Sequence, residues 1–206
     1  WVAPDVVIHG GASVHLALAL LFDLVLRGGG KAPRQWRVGY RRDIYKGKGK
    51  PRDEWLSYRG IVLGSNLGKM YERVLLRRAA LVTRADPLQA VGNPGLDCRH
   101  QLHLLLDALA YRAALGLDTY GATVDITRAF PSTEQQLAAL ELHERGVGGR
   151  LLRAIVGLTS DVAVCAGVAR GQHTAPRRLG VGLLEGAVLS PRVSAAVVAG
   201  LSGARR

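Results

Sequence analysis

Segments with a helical apolar period and segments with strand character follow one another along this chain without a regular βαβ rhythm, and that order constrains the fold more than any single motif. A doubly wound parallel sheet needs strict alternation, so the chain reads as α+β. Its 206 residues, 48% of them apolar, suffice for one well-buried core and hardly for two. One domain, of two lobes at most, is expected.

Glycine and proline set the punctuation. Residues 12–27 form a helix candidate closed by Gly28-Gly29-Gly30, where left-handed angles cost nothing. The apolar part of this stretch falls short of the roughly 20 residues that a membrane span needs and carries His15 and Asp23, so a buried amphipathic helix is the better reading. Residues 37–46, with Val38, Tyr40, Ile44 and Tyr45, have strand character. The Gly/Lys/Pro segment 47–51 follows as a mobile basic loop.

Residues 67–83 place Leu67, Met70, Tyr71, Val74, Leu75 and Ala79 on one helix face, with Arg73, Arg77 and Arg78 opposite. A Pro/Gly loop over 87–95 leads to a helix over 98–115, whose buried stripe is expected at Leu102, Leu105, Leu106, Leu109 and Ala113. Residues 120–126 read as a strand ending near Asp125. Pro131 and Ser132 open a further helix running to Gly146, with Ser132 and Gln135 in capping-box spacing and Leu137, Leu140 and Leu142 facing inward. A helix over 149–159, a strand over 162–168, a hairpin partner over 177–181 and a helix starting at Ser190-Pro191 complete the pattern.

Lys and Arg number 28 against 16 Asp and Glu, a formal charge of +12, which favours a polyanionic partner because each neutralised phosphate releases counterions. A solvated basic surface is the plainer alternative. Two cysteines, Cys98 and Cys165, make no disulfide framework, and an intracellular, reducing setting is expected, whether nucleus or cytoplasm. The chain begins at Trp1 with neither a basic leader nor a small-residue cleavage site, and reads as a fragment.

Three stretches together carry a resemblance: Thr123-Val124-Asp125-Ile126-Thr127-Arg128-Ala129-Phe130; Leu183-Leu184-Glu185-Gly186-Ala187-Val188-Leu189-Ser190-Pro191; and Asp43-Ile44-Tyr45-Lys46-Gly47-Lys48-Gly49 leading to Ser57-Tyr58-Arg59-Gly60-Ile61. In this order, over nearly the whole chain, they resemble the reverse transcriptase domain of non-LTR retrotransposons. The resemblance implies a partial right-hand polymerase fold, with residues 1–118 fingers-like, residues 119–206 an incomplete palm, and no thumb. It implies RNA-directed DNA synthesis on an RNA template with a DNA primer and dNTPs, without a membrane.

In that family two divalent cations about 3.5–4 Å apart drive nucleotidyl transfer. Asp125 would be the catalytic carboxylate that holds Mg²⁺ (or Mn²⁺), with Phe130 beneath the incoming sugar as the gate against a 2′-hydroxyl. Gly186 would let backbone approach the nascent base pair, and Lys46, Lys48 and Arg59 would contact the triphosphate and template backbone. Read without the family, Asp125 is a turn aspartate, Phe130 a core residue and the cations a surface charge run. Tyr45, Trp55 and Tyr58 interleave with the cations either as a stacking surface or as packing within the fingers.

The chain departs from the family at three places. Pro131 stands where a second Asp often follows the Phe, and Leu184-Glu185 stand where Pro-Gln usually precedes the Gly. Beyond Asp161 the only acidic residue is Glu185, so the carboxylate pair that completes the metal site is missing. One Asp cannot neutralise two divalent ions, and the fragment is expected to bind metal weakly and catalyse little or nothing. A non-catalytic basic nucleic-acid-binding module is the competing reading, and a decayed element copy without function is a third.

Other constellations fail. Cys98, His100 and His103 lack a paired spacing for zinc and read as helix-surface residues. Residues 64–70 have the wrong glycine spacing for a phosphate loop, with Met70 where Ser or Thr is required. There is no Gly-x-Ser-x-Gly element for a hydrolase.

Overall fold

The computed structural model describes residues 3–83, 89–90, 95–169 and 172–201. A short helix α1 (Pro4–His9) and a longer one, α2 (Gly11–Arg27), precede the strand β1 (Val38–Tyr45). A long loop leads to β2 (Tyr58–Leu63), then α3 (Asn66–Val82) and α4 (Cys98–Ala114). The second half contains α5 (Ala129–Ser132), α6 (Gln135–Glu144), α7 (Gly149–Thr159), β3 (Ala163–Ala169), β4 (Gln172–His173), β5 (Arg177–Arg178) and α8 (Ser190–Leu201). The fold is mixed α+β with one small sheet, as its irregular order implied.

The sheet runs β2-β1-β3-β4, with β5 also on β3. β1 and β2 form an antiparallel hairpin in which Tyr45 faces Tyr58 and Tyr40 faces Leu63. β3 joins β1 in parallel, Val38 opposite Ala163 and Tyr40 opposite Cys165, so the β1–β2 hairpin and the later strand share one ladder. Periodicity identifies strands and cannot tell which of them pair; this parallel contact was not foreseen.

The core lies among the helices. Phe22, Trp36 and Tyr71 meet with ring centroids 5.4–5.8 Å apart, joined by Leu75, Leu142, Ile155, Leu158, Leu189 and Val193. The expected face of α3 is the one that packs: Tyr71, Leu75 and Ala79 are buried, with Leu67, Met70 and Val74 partly so. α2 is a weaker match to a buried helix, because Phe22 enters the core while Leu16, Leu20 and Leu24 stay exposed.

Three expectations are corrected. α4 forms where its period places it, capped by Asp97 and His100, yet none of its residues is buried and Leu102, Leu105, Leu106 and Leu109 are exposed. A stripe records what a helix could cover and does not supply the element that covers it. Residues 120–126 form no strand, and Tyr120 and Val124 are about nine-tenths exposed, at 91% and 90%. Their β-branched composition has strand propensity, but a strand exists only through a ladder partner, and none pairs with it among the described residues.

The helix expected from residue 131 is interrupted: α5 ends at Ser132, Thr133 is extended, and α6 begins at Gln135. The Ser132 hydroxyl donates back to the Arg128 carbonyl at 2.9 Å instead of capping α6. Accordingly Leu142 is buried and Leu137 partly so, whereas Leu140 is 50% exposed. Most of the loop expected over 87–95 lies outside the described residues.

Candidate nucleic-acid interface

The basic loop between β1 and β2 is built on the cross-strand pair Tyr45 and Tyr58, whose ring centroids are 5.6 Å apart. The Tyr45 hydroxyl donates to the Lys50 carbonyl and the Tyr58 hydroxyl to the Arg52 carbonyl, while Arg52 lies over the Tyr45 ring at 5.0 Å. These tyrosines therefore tie the loop to its own strands. Lys46 is exposed, its amine donating to the Leu56 carbonyl at 2.8 Å, and Lys48 is exposed in a left-handed conformation, φ 61°. Arg59 is exposed on β2, on the same side of the strand as Ile61 and Leu63.

Asp125 is exposed on the extended stretch that precedes α5. Three residues later Arg128, at φ 54°, sets its guanidinium 3.9 Å from the centroid of Trp55, at the foot of the basic loop. Phe130 follows in α5, its side chain half-buried against the core and its carbonyl accepting from the Leu183 N–H at 2.8 Å. The Gly182 N–H donates to the Thr133 carbonyl at 3.0 Å. The segment with Asp125 is thus held at one end to the basic loop and at the other to the glycine turn.

That turn lies along the open edge of β2, where the Val62 N–H donates to the Glu185 carbonyl at 2.7 Å. Gly186 has φ +105°, and a Cβ there would stand 2.9 Å from the Val62 carbonyl oxygen, so only glycine fits against the strand. From α3, the Glu72 carboxylate accepts from the N–H groups of Val188 and Leu189, at 2.5 and 3.1 Å, and so closes the turn into α8. Burial pushes its carboxyl above the ordinary value, against the lowering effect of those two donors and of Lys69. Glu72 was not singled out from the sequence, although an acid between the core residues Tyr71 and Leu75 is the signal that could have found it.

The structure therefore brings the neighbours of Asp125, Phe130, Gly186 and the Lys46–Arg59 hairpin into one assembly through three contacts. It does not gather carboxylates. Asp125 stands on an exposed stretch, and no group of three His, Cys, Asp or Glu among the described residues could share an ion. The side chains of the described residues therefore do not fit a pair of divalent cations. Cys98 is exposed and Cys165 buried, both as free thiols; His100 serves the α4 cap, holding Asp97 to about pKa 2 together with Arg99, whose hydrogen bond is the larger cause.

No protein-family model matches this chain, and no curated protein matches it. No helix among the described residues is long and apolar enough to cross a membrane.

Proposed function

We propose that the chain is the fingers and an incomplete palm of a non-LTR-type reverse transcriptase, a domain that binds single-stranded nucleic acid and does not polymerise on its own. The observation that carries this reading is the joining of three distant sequence stretches: Leu183 to Phe130, Glu185 to Val62, and Arg128 to Trp55. A chance likeness of short motifs would give no reason for those segments to lie against each other. In the intact family the cations supply charge neutralisation at the transferring phosphate; here the chain's own groups bind and orient a strand.

In this reading Lys46, Lys48 and Arg59 draw in the phosphate backbone of an RNA template, of its DNA primer or of a dNTP. Gly186 keeps the main chain low beside β2, and Phe130 braces the turn from the core side. Two free thiols accord with an intracellular setting. That no carboxylate cluster forms among the described residues favours the second reading, a binding module without catalysis.

Primer extension on an RNA template with Mg²⁺ tests the proposal. No incorporation by the chain alone, together with salt-dependent RNA binding, is the expected result. Incorporation abolished by Asp125→Asn would show that this chain catalyses and would overturn the non-catalytic part.

A further inference from the structure

We infer that the cleft between the start of β1, the start of β3 and β5 is a second phosphate-binding site, for the backbone of a single nucleic-acid strand whose base packs beside Tyr40 and His173. Two adjoining recesses, of about 420 and 280 Å³, share Arg34, Val38 and Pro176 as lining. Arg37 and Arg178 line the smaller recess and Tyr40 the larger. This inference rests on the nucleic-acid reading above and extends it to a different part of the surface.

The ladder explains the arrangement. Arg178 is opposite Ala163, which is opposite Val38, so the three form a row across the sheet, and Tyr40 and Cys165 form the next row on the same face. Gly167 continues that face and pairs with His173, whose ring meets Tyr40 with centroids 4.8 Å apart. Arg178 therefore stands at one end of the first row, and the Tyr40–His173 pair lies two residues further along the strands on the same face.

One carboxylate organises the cations. Asp161, in a left-handed conformation at φ 55°, accepts from Arg37 at 2.5 Å and pairs with Arg178 at 3.0 Å. Arg37 is mostly buried, and its Nε donates to the Ala32 carbonyl at 3.1 Å, which fixes its fork. Asp161 pairs with two of the three guanidinium groups that line the smaller recess, Arg37 and Arg178, and Arg34 is the third, so the lining carries a formal surplus of two positive charges. Guanidinium forks match phosphate oxygens with paired donors, so an anion complements this surplus. A neighbouring aromatic pair offers a stacking face that a single strand can use and a duplex cannot.

The experiment is a salt titration of a fluorescent single-stranded RNA against the full chain and its variants Arg34→Ala, Arg178→Ala and the double variant, with Lys48→Ala in parallel. Arg34 and Arg178 are exposed, so circular dichroism and melting should not change. Each arginine variant should flatten the salt slope by about one phosphate equivalent, and the double variant should weaken binding roughly tenfold or more. RNA bearing 5-iodouridine should crosslink to Tyr40 or His173, and double-stranded RNA should compete poorly.

Arginine variants that bind like the parent while Lys48→Ala weakens would overturn this site and leave the reading of the finger-like loop intact. Effects confined to the arginines would support the cleft and count against that loop. Displacement of the strand by inorganic pyrophosphate at matched phosphate concentration would mark a site for free phosphate and overturn the inference. A parent chain that binds no RNA would end both proposals.

Discussion

The Arg128 guanidinium lies 3.9 Å from the centroid of the Trp55 ring, and this contact ties the segment after Asp125 to the foot of the basic loop. Arg128 pays for its position with a left-handed backbone, φ 54°, which is unfavourable for a side chain with a Cβ. Arg128→Ala keeps that strain and loses the cation–π contact, so it should destabilise by about 0.5–1 kcal/mol. Arg128→Gly loses the same contact but relieves the backbone, and should be more stable than the alanine variant by about 1 kcal/mol. Urea melts of the two variants decide it; equal stabilities would contradict the assigned strain.

The glycine turn makes a sharper prediction. Gly182 has φ +100° with the Pro131 carbonyl oxygen 2.6 Å from where a Cβ would stand, and Gly186 faces Val62 in the same way. Alanine at either position should cost about 1–3 kcal/mol from the backbone alone, and more from the collision. Gly47, at φ +69° with nothing within 4 Å of its Cβ position, is the control and should show only the backbone cost. If Gly47→Ala proved as damaging as Gly186→Ala, the close approach to β2 would not be what requires the glycine.

Glu72 links stability to pH. Its carboxyl is raised above 4.5 in the folded chain, so the folded state binds more protons than the unfolded state just above that value. Stability should therefore fall as pH rises upward from about 4.5, and level off once Glu72 is fully ionised. Asp161 and Asp97 are shifted downward from 3.8, so their contribution is lost only as pH falls below that region. Glu72→Gln keeps an acceptor for Val188 and Leu189 and should remove the upper slope, with stability at neutral pH equal or higher. Glu72→Ala leaves two N–H groups without that acceptor and should cost about 1–3 kcal/mol. Thermal melts between pH 4 and 8, on the scale of ordinary carboxyl titration, test this, and a retained slope in the glutamine variant would contradict it.

Much of this architecture is legible in the sequence. The α3 face, the α7 boundaries Gly149–Thr159, the strand at 38–45 and the antiparallel pairing of β3 with β5 follow from apolar period and turn residues, though β5 spans only Arg177–Arg178 of the expected 177–181 and β4 intervenes. Pairing and partners were not legible. The exposed stretch around Asp125 and the uncovered α4 both have the composition of packed elements, and composition does not say what they pack against. The arginine cleft was missed because Arg34, Arg37 and Arg178 come together only through the parallel contact of β1 with β3, which no local pattern encodes.

The central claim is that this basic chain holds a single nucleic-acid strand through phosphate contacts that include the loop between β1 and β2. The most direct test is the affinity for single-stranded RNA across a range of salt concentrations, for the parent chain, Lys46→Ala and Lys48→Ala. A logarithmic slope of about −0.7 per contacted phosphate is predicted, flattened by roughly one phosphate equivalent in each variant. Binding that is absent, independent of salt, or unchanged in both variants would contradict the account.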